Sequence, residues 1–138
     1  YTWIPVSEYA GQRFSSIGAF RNVLVTGNRL PYAPRNLLNA MLGYSHTSGM
    51  NAMVEGVYTD GQFGDDLNTI NPTPDGQRGA IPSNFIWNAT VNYPVEQWRT
   101  TFFVAANNIG DRLYIVDRRR GLLPGMPRMI QVGVRFSF

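Results

Sequence analysis

The chain has 138 residues, enough for one domain, and a formal net charge of +3. It contains no cysteine, which excludes a disulfide framework and thiol chemistry. Charged residues make up 15%, below the roughly 25% of a typical soluble domain, and the small, scattered positive charge gives no footprint for nucleic acid.

No apolar run approaches the roughly 20 residues of a membrane helix; Phe102 to Ala106 is far too short. In chain order, Tyr1 to Tyr9 reads as a strand with weak alternation and Pro5 inside it. No signal peptide precedes it, and Tyr1-Thr2-Trp3 already reads as mid-strand, so a piece of something larger is expected. Between Asn36 and Tyr44, Leu38, Ala40, Leu42 and Tyr44 oppose Leu37, Asn39, Met41 and Gly43. Between Asn51 and Thr59, Ala52, Val54, Gly56 and Tyr58 oppose Asn51, Met53, Glu55 and Val57. The cleanest internal case is Asn84 to Tyr93, where Phe85, Trp87, Ala89, Val91 and Tyr93 share one face. Trp98 to Asn107 is apolar on both faces; Phe102, Val104 and Ala106 are favoured as the outward set. The final strand, Arg128 to Phe138, puts Ile130, Val132, Val134, Phe136 and Phe138 opposite Met129, Gln131, Gly133, Arg135 and Ser137. One face suits hydrocarbon and the other water, as in a membrane-spanning strand, although a soluble edge strand could show the same pattern.

The connections come in two lengths. Ser45 to Gly49 and Pro94 to Gln97 are tight turns. Ala10 to Pro34, Gly61 to Ser83 and Asn108 to Pro127 are long, and the two kinds alternate strictly. Loops that long are unusual in a compact soluble domain, whereas short turns on one side and long loops on the other mark an outer-membrane barrel. Tyr44, Tyr93, Trp98 and Phe138 fall at the short-turn side, where an aromatic girdle would lie. Such a sheet must close to remove its unpaired edges, and barrels start at about eight strands, so six strands call for further ones upstream. The expected fold is therefore all-β: a transmembrane antiparallel barrel, of which residues 1–138 form about six strands.

Asn107-Asn108-Ile109-Gly110-Asp111-Arg112-Leu113-Tyr114 resembles the N-L-F-D-x-x-Y signature of TonB-dependent outer-membrane receptors. A Gly-containing loop, Pro127-Arg128 and a strand ending in Phe follow, as in that family. Gly27-Asn28-Arg29-Leu30-Pro31-Tyr32-Ala33-Pro34 resembles its G-x-x-L-P-x-x-P segment. Gln62-Phe63-Gly64-Asp65-Asp66-Leu67-Asn68-Thr69, with Asp75-Gly76 and Gly79-Ala80-Ile81-Pro82, is most similar to the ferric dicitrate receptor branch. The resemblance implies a 22-stranded barrel with an N-terminal plug, in the outer membrane of a Gram-negative bacterium. It implies import of a ferric siderophore or ferric dicitrate, energised by the TonB complex through a TonB box. Plug, box and upstream strands lie outside this chain, which would be the C-terminal part of the barrel. The long loops would then be extracellular, and the ferric chelate is cargo, with no covalently bound cofactor expected.

Arg118, Arg119 and Arg120 follow Asp117 in the last long loop and concentrate positive charge that suits an anionic chelate or lipopolysaccharide phosphates. By the resemblance, a ligand-contacting Asn of ferric dicitrate receptors falls at Arg118, which leaves dicitrate itself in question. Gln62 and Asn68 are further candidate ligand contacts, while Asp65 and Asp66 are expected to cap turns and pair with Arg78. Glu55, Asn51, Asn88, Asn92, Gln131 and Arg135 are placed on the inward face, facing a plug. Phe138, Phe136 and Val134 resemble the terminal signal read by the barrel assembly machinery, and their apolar face also suits outer-membrane lipid. His46, the one histidine, falls in a tight turn and reads as surface decoration. No Ser-His-Asp set, phosphate loop or metal-ligand spacing marks an enzyme. A passive porin or small barrel, and a soluble β-sandwich binding module, remain the alternatives.

Overall fold

The computed structural model describes residues 1–138. Ten strands form: β1 (Thr2–Trp3), β2 (Asn36–Ser45), β3 (Asn51–Thr59), β4 (Gln62–Phe63), β5 (Ala80–Ile81), β6 (Asn84–Val95), β7 (Thr100–Asn107), β8 (Ile115–Asp117), β9 (Leu123–Pro124) and β10 (Met129–Phe136). Six of them make one antiparallel sheet in the order β1-β2-β3-β6-β7-β10, while β4 pairs with β5 and β8 with β9. By contacts the chain divides into two compact units.

The first unit is the strand bodies, Leu38–Tyr58, Phe85–Arg112 and Met126–Phe138. Register explains its two faces. Val91 pairs with Val104, and Val104 with Val132; Tyr93 pairs with Phe102, and Phe102 with Val134. These side chains stay exposed, a continuous apolar face over three strands. The alignment puts Phe102, Val104 and Ala106 on the face of Val91 and Val132, as the sequence favoured. Phe85 and Trp87 meet edge to face at 4.9 Å on that same face.

The opposite face is polar and bonded across strands. Asn39 Nδ2 and Asn88 Nδ2 each donate to the Glu55 carboxylate at 2.8 Å. Asn92 Nδ2 donates to Asn51 Oδ1 at 2.9 Å, and Asn88 Oδ1 accepts the Asn108 N–H at 3.0 Å. Apolar residues share this face, Met41, Met53, Phe103 and Met129 among them; the Phe103 ring lies across Gly133, where a Cβ would come 2.3 Å from Phe103 Cζ. The glycine is what lets an aromatic ring lie flat on this face.

Three expected strand limits are corrected. The Asn84 strand runs past Tyr93 into the expected turn, with Pro94 opposite Thr101 and Val95 opposite Thr100. The strand over Tyr1 to Tyr9 reduces to β1, because Pro5 has no N–H to continue the ladder; Ile4 N donates the last such bond, to Arg35 O at 2.8 Å. Residues beyond it turn to a different partner, with Leu30 N donating to Ser7 O and Tyr9 N to Asn28 O. Trp98 does not open a strand either. It closes a 3-10 turn, Glu96–Trp98, after which Arg99 adopts a left-handed conformation with φ 48°.

The second unit comprises Tyr1–Leu37, Thr59–Asn84 and Leu113–Gly125. It takes in most of the three long connections, and these are folded. It contains the only two fully buried apolar side chains, Val25 and Ile81. Around them Ser15, Asp65, Asp66 and Arg118 are also buried, so the interior of this unit is largely polar. Buried polar groups are tolerated when hydrogen-bonded, and those bonds create the candidate site.

Candidate ligand-binding site

Asp66 is the seam between the first and second long loops. Its carboxylate accepts the Ser15 hydroxyl at 2.8 Å, the Ser16 hydroxyl at 2.8 Å and the Ser16 N–H at 2.5 Å. Asp65 organises its own loop: Oδ1 accepts Leu67 N at 3.0 Å and the Thr69 hydroxyl at 2.9 Å, and Oδ2 accepts Gly79 N at 3.3 Å. Asn68, at φ 54°, engages both backbone polar groups of Arg29 in the first loop, its Oδ1 accepting Arg29 N at 2.7 Å and its Nδ2 donating to Arg29 O at 2.8 Å. An asparagine tolerates that left-handed backbone better than most residues.

The third loop is tied in by Asp117 and Arg118. Asp117 Oδ1 accepts the Tyr32 hydroxyl at 2.5 Å, Arg118 N at 2.8 Å and Arg119 N at 3.0 Å. Arg118 is 3% exposed. Its guanidinium donates to Ala80 O and Gly76 O, each at 3.3 Å. The Arg118 stem lies against Gly64, where a Cβ would sit 3.3 Å from it.

These clasps enclose an open cleft of about 480 Å³, whose walls include Ser16, Phe20, Tyr32, Asp75, Arg78 and Arg119. Two cations sit on aromatic seats there. Arg78 Cζ lies 4.8 Å from the centre of the Phe20 ring, and Arg119 Cζ 5.9 Å from that of Tyr32. Both fall within the range of a cation–π contact. Arg119 also borders a second hollow of about 450 Å³ with Arg120 and Leu122.

The carboxylates around the cleft are kept ionised. The Tyr32 hydroxyl bond, then the Arg119 N–H, hold Asp117 below the ordinary carboxylate range. The Thr73 hydroxyl and the Gln77 N–H do the same for Asp75, with the Arg78 charge adding to it. Burial pushes Asp66 up, but the bonds from Ser16 and Ser15 outweigh it and leave its pKa lowered. Burial, then the bond to Asp117, pushes the Tyr32 hydroxyl up, so it stays a neutral donor. Oxygens of Asp65 and Asp66 accept N–H and O–H donors of the protein, but their charges remain, so three carboxylates, Asp65, Asp66 and Asp75, share the lining with Arg78 and Arg119. The two guanidiniums are the groups there that can donate to carboxylate, phenolate or phosphate oxygens of a ligand.

The six candidate contacts separate by environment. Arg119 and Arg120 are exposed beside the hollows. Asp117, Arg118 and Asn68 are taken up by bonds within the loops. Gln62 is half-buried in β4, opposite Ile81. The expected capping by Asp65 and Asp66 is present, but their expected pairing with Arg78 is not: Arg78 lies over Phe20, and its charge bears on Asp75. Phe20, Tyr32 and Ser16 went unmarked in the sequence, since nothing local ties them to an arginine dozens of residues away. At the chain end, Val134, Phe136 and Phe138 are all exposed on the apolar row.

Comparison with known proteins bears on what this framework is. The family model described as TonB dependent receptor-like, beta-barrel, matches residues 1–109. The crystal structure of the ferric citrate transporter FecA in the unliganded form is similar, with a TM-score of 0.69 and 25% identity over 77% of this chain and 17% of that one. The siderophore receptor PiuA from Acinetobacter baumannii superposes with a TM-score of 0.68 and 20% identity, over 81% of this chain and 15% of that one. The chain thus spans less than a fifth of either.

Proposed function

Because the chain belongs to the TonB dependent receptor-like β-barrel family, we propose that it forms part of the wall and the ligand-facing loops of an outer-membrane receptor that takes up an anionic ferric chelate. On this reading the apolar sheet face meets lipid, the polar face meets the barrel interior, and the long loops are extracellular. The observation that carries the ligand class is the pair Arg78 and Arg119, each seated on a ring in one cleft. A chelator already satisfies Fe(III), so a receptor has only the anionic exterior of the complex to recognise. Guanidiniums held on rings are preorganised for that, and lose less freedom on binding than free side chains. Similarity to a ferric citrate transporter supports the same class. Energy for release into the periplasm would come through TonB, acting on parts of the receptor outside these residues.

The test uses the full-length receptor in a deletion strain grown under iron limitation, with radioiron-labelled ferric citrate and a panel of other ferric chelates. Deletion should abolish uptake of at least one chelate, and uptake should also cease when TonB is inactivated. The pair Arg78→Ala and Arg119→Ala should weaken binding of that chelate tenfold or more, since a hydrogen bond to a charged group is worth about 1.5–3 kcal/mol. Unchanged uptake of every chelate on deletion would sink the ferric reading, and uptake persisting without TonB would identify a passive pore.

A further inference from the structure

The second hollow differs in chemistry from the cleft beside it. Its lining is Asp117, Arg119, Arg120, Gly121, Leu122 and Leu123, the tip of the β8–β9 hairpin. Two guanidiniums stand there with one carboxylate, so positive charge is in excess. Arg120 engages no carboxylate, carbonyl or ring of the chain. Leu122 and Leu123 are each more than half exposed. The volume of about 450 Å³ falls within the roughly 300–1,000 Å³ of small-molecule pockets. Adjacent open leucines rimmed by charged groups are the composition of a binding surface for something partly apolar.

The second long loop fixes this tip. Gly76 has φ 70°, and a Cβ there would come 3.2 Å from Leu122 N and 3.6 Å from Leu122 Cβ. A glycine suits both that left-handed backbone and that close approach. Arg118 Nη1 donates to Gly76 O at 3.3 Å, and Gly121 N donates to Arg118 O at 3.2 Å. Gly121, at φ 108°, turns the chain between Arg120 and Leu122. The leucines are therefore positioned by the fold before any ligand arrives, which lowers the ordering cost of binding.

Arg119 joins the two hollows. It lines the cleft with Arg78 and borders the leucines as well, while its guanidinium lies over the Tyr32 ring. A ligand whose anionic oxygens meet Arg119 in the cleft thus finds an apolar wall beside the same side chain. A wholly polar chelate would leave the leucines wet. A bare hydrocarbon would leave the guanidiniums without a partner. A molecule with an anionic head and a hydrocarbon arm satisfies both, and Arg120 is free to donate to the carbonyl where such an arm joins the head.

We propose that the hollow beside Leu122 and Leu123 receives an acyl arm of the chelate, so that the ligand is an amphiphilic ferric chelate with its anionic head in the cleft. The inference rests on the ferric-chelate reading above and narrows it.

The test is equilibrium binding to the purified full-length receptor of two ferric complexes of one citrate-based dihydroxamate chelator, carrying either acetyl or octanoyl arms. Each buried methylene is worth about fourfold in affinity, so burying two gives roughly sixteenfold. The octanoyl complex should therefore bind about tenfold or more tightly than the acetyl one. Leu122→Ser with Leu123→Ser should bring the ratio of the two affinities close to one. Leu113→Ser, at an exposed leucine outside the hollow, should keep the ratio. Equal binding of the two complexes by the wild-type protein would overturn the proposal without any variant having to fold. A ratio retained in the double variant would overturn it equally. So would iron-free octanoate binding as tightly as the octanoyl complex, because the hollow would then serve a fatty acid rather than a chelate. Failure of both complexes to bind would also overturn it. All four results leave the ferric reading standing if deletion still abolishes uptake of some chelate in the panel; uptake of every chelate unchanged on deletion would remove both.

Discussion

Replacing Asp66 by alanine tests whether hydrogen bonds rather than apolar burial hold the loops together. The residue is 4% exposed and accepts three donors from Ser15 and Ser16. Charge-assisted bonds are worth about 1.5–3 kcal/mol each, giving a gross loss of about 4.5–9 kcal/mol. Both serine hydroxyls can turn to water in the enlarged space, so the net loss is smaller. The Ser16 N–H, which loses its partner, sets the core of the cost at about 1–3 kcal/mol. A local destabilisation of that size accelerates amide exchange roughly fivefold to 150-fold. Hydrogen exchange of the full-length receptor should show this in residues 13–20 and 65–70, with β10 unchanged. Chelate affinity should fall too, because Ser16 and Phe20 line the cleft. Acid should mimic the substitution. The carboxyl is lowered in the folded protein, so its stabilisation is complete above the ordinary aspartate value of about 3.9 and is lost as pH falls through the lower folded value. Residues 13–20 of the wild-type protein should therefore loosen in that acid range, and Asp66→Ala should remove that contribution there, while Asp75 and Asp117 still titrate elsewhere in the loops. Unaltered exchange in residues 13–20 at neutral pH would refute the clasp.

Arg118→Met keeps the stem but loses two bonds to carbonyls; it should raise exchange in residues 76–81 by about 2–4 kcal/mol of local opening, whereas Arg120→Met should leave it unchanged. On β10, Val134→Arg should cost about 2–4 kcal/mol of folding stability in lipid near the midplane, measured by urea unfolding in vesicles, and Gln131→Arg on the polar face should cost far less. Equal costs would mean the two faces are assigned the wrong way round. Gly133→Ala should cost about 1–3 kcal/mol through overpacking against Phe103, and Phe103→Ala in the same protein should relieve it; additive losses would show that the ring and the glycine do not share that space.

Strands were legible where one interaction repeats locally. The alternation through Phe85 to Tyr93 and Ile130 to Phe138 survives in register because a slip of one residue would turn every side chain to the wrong face. The Trp98 to Asn107 segment gave no such signal, since Phe102 and Phe103 are equally apolar; only pairing with Val91 and Val132 separates them. Pro5 was visible, and its consequence for the ladder was larger than the weak alternation around it suggested. The cleft was the least legible part. Arg118, Arg119 and Arg120 are identical in sequence, yet the turn capped by Asp117 buries the first and exposes the other two. The bond from Ser15 to Asp66 spans 51 residues, and no local pattern announces it.

The thin apolar core of the loop unit has a thermal consequence. Val25 and Ile81 are its only fully buried apolar side chains, while others such as Ile17, Phe20 and Phe63 are half-buried, so opening it exposes less hydrocarbon to water than opening a packed core of equal size. The heat capacity of unfolding comes mainly from such exposure, and polar exposure works against it. The free energy of loop opening should then curve less with temperature than that of an ordinary core, and cooling should weaken these loops less than it weakens apolar contacts.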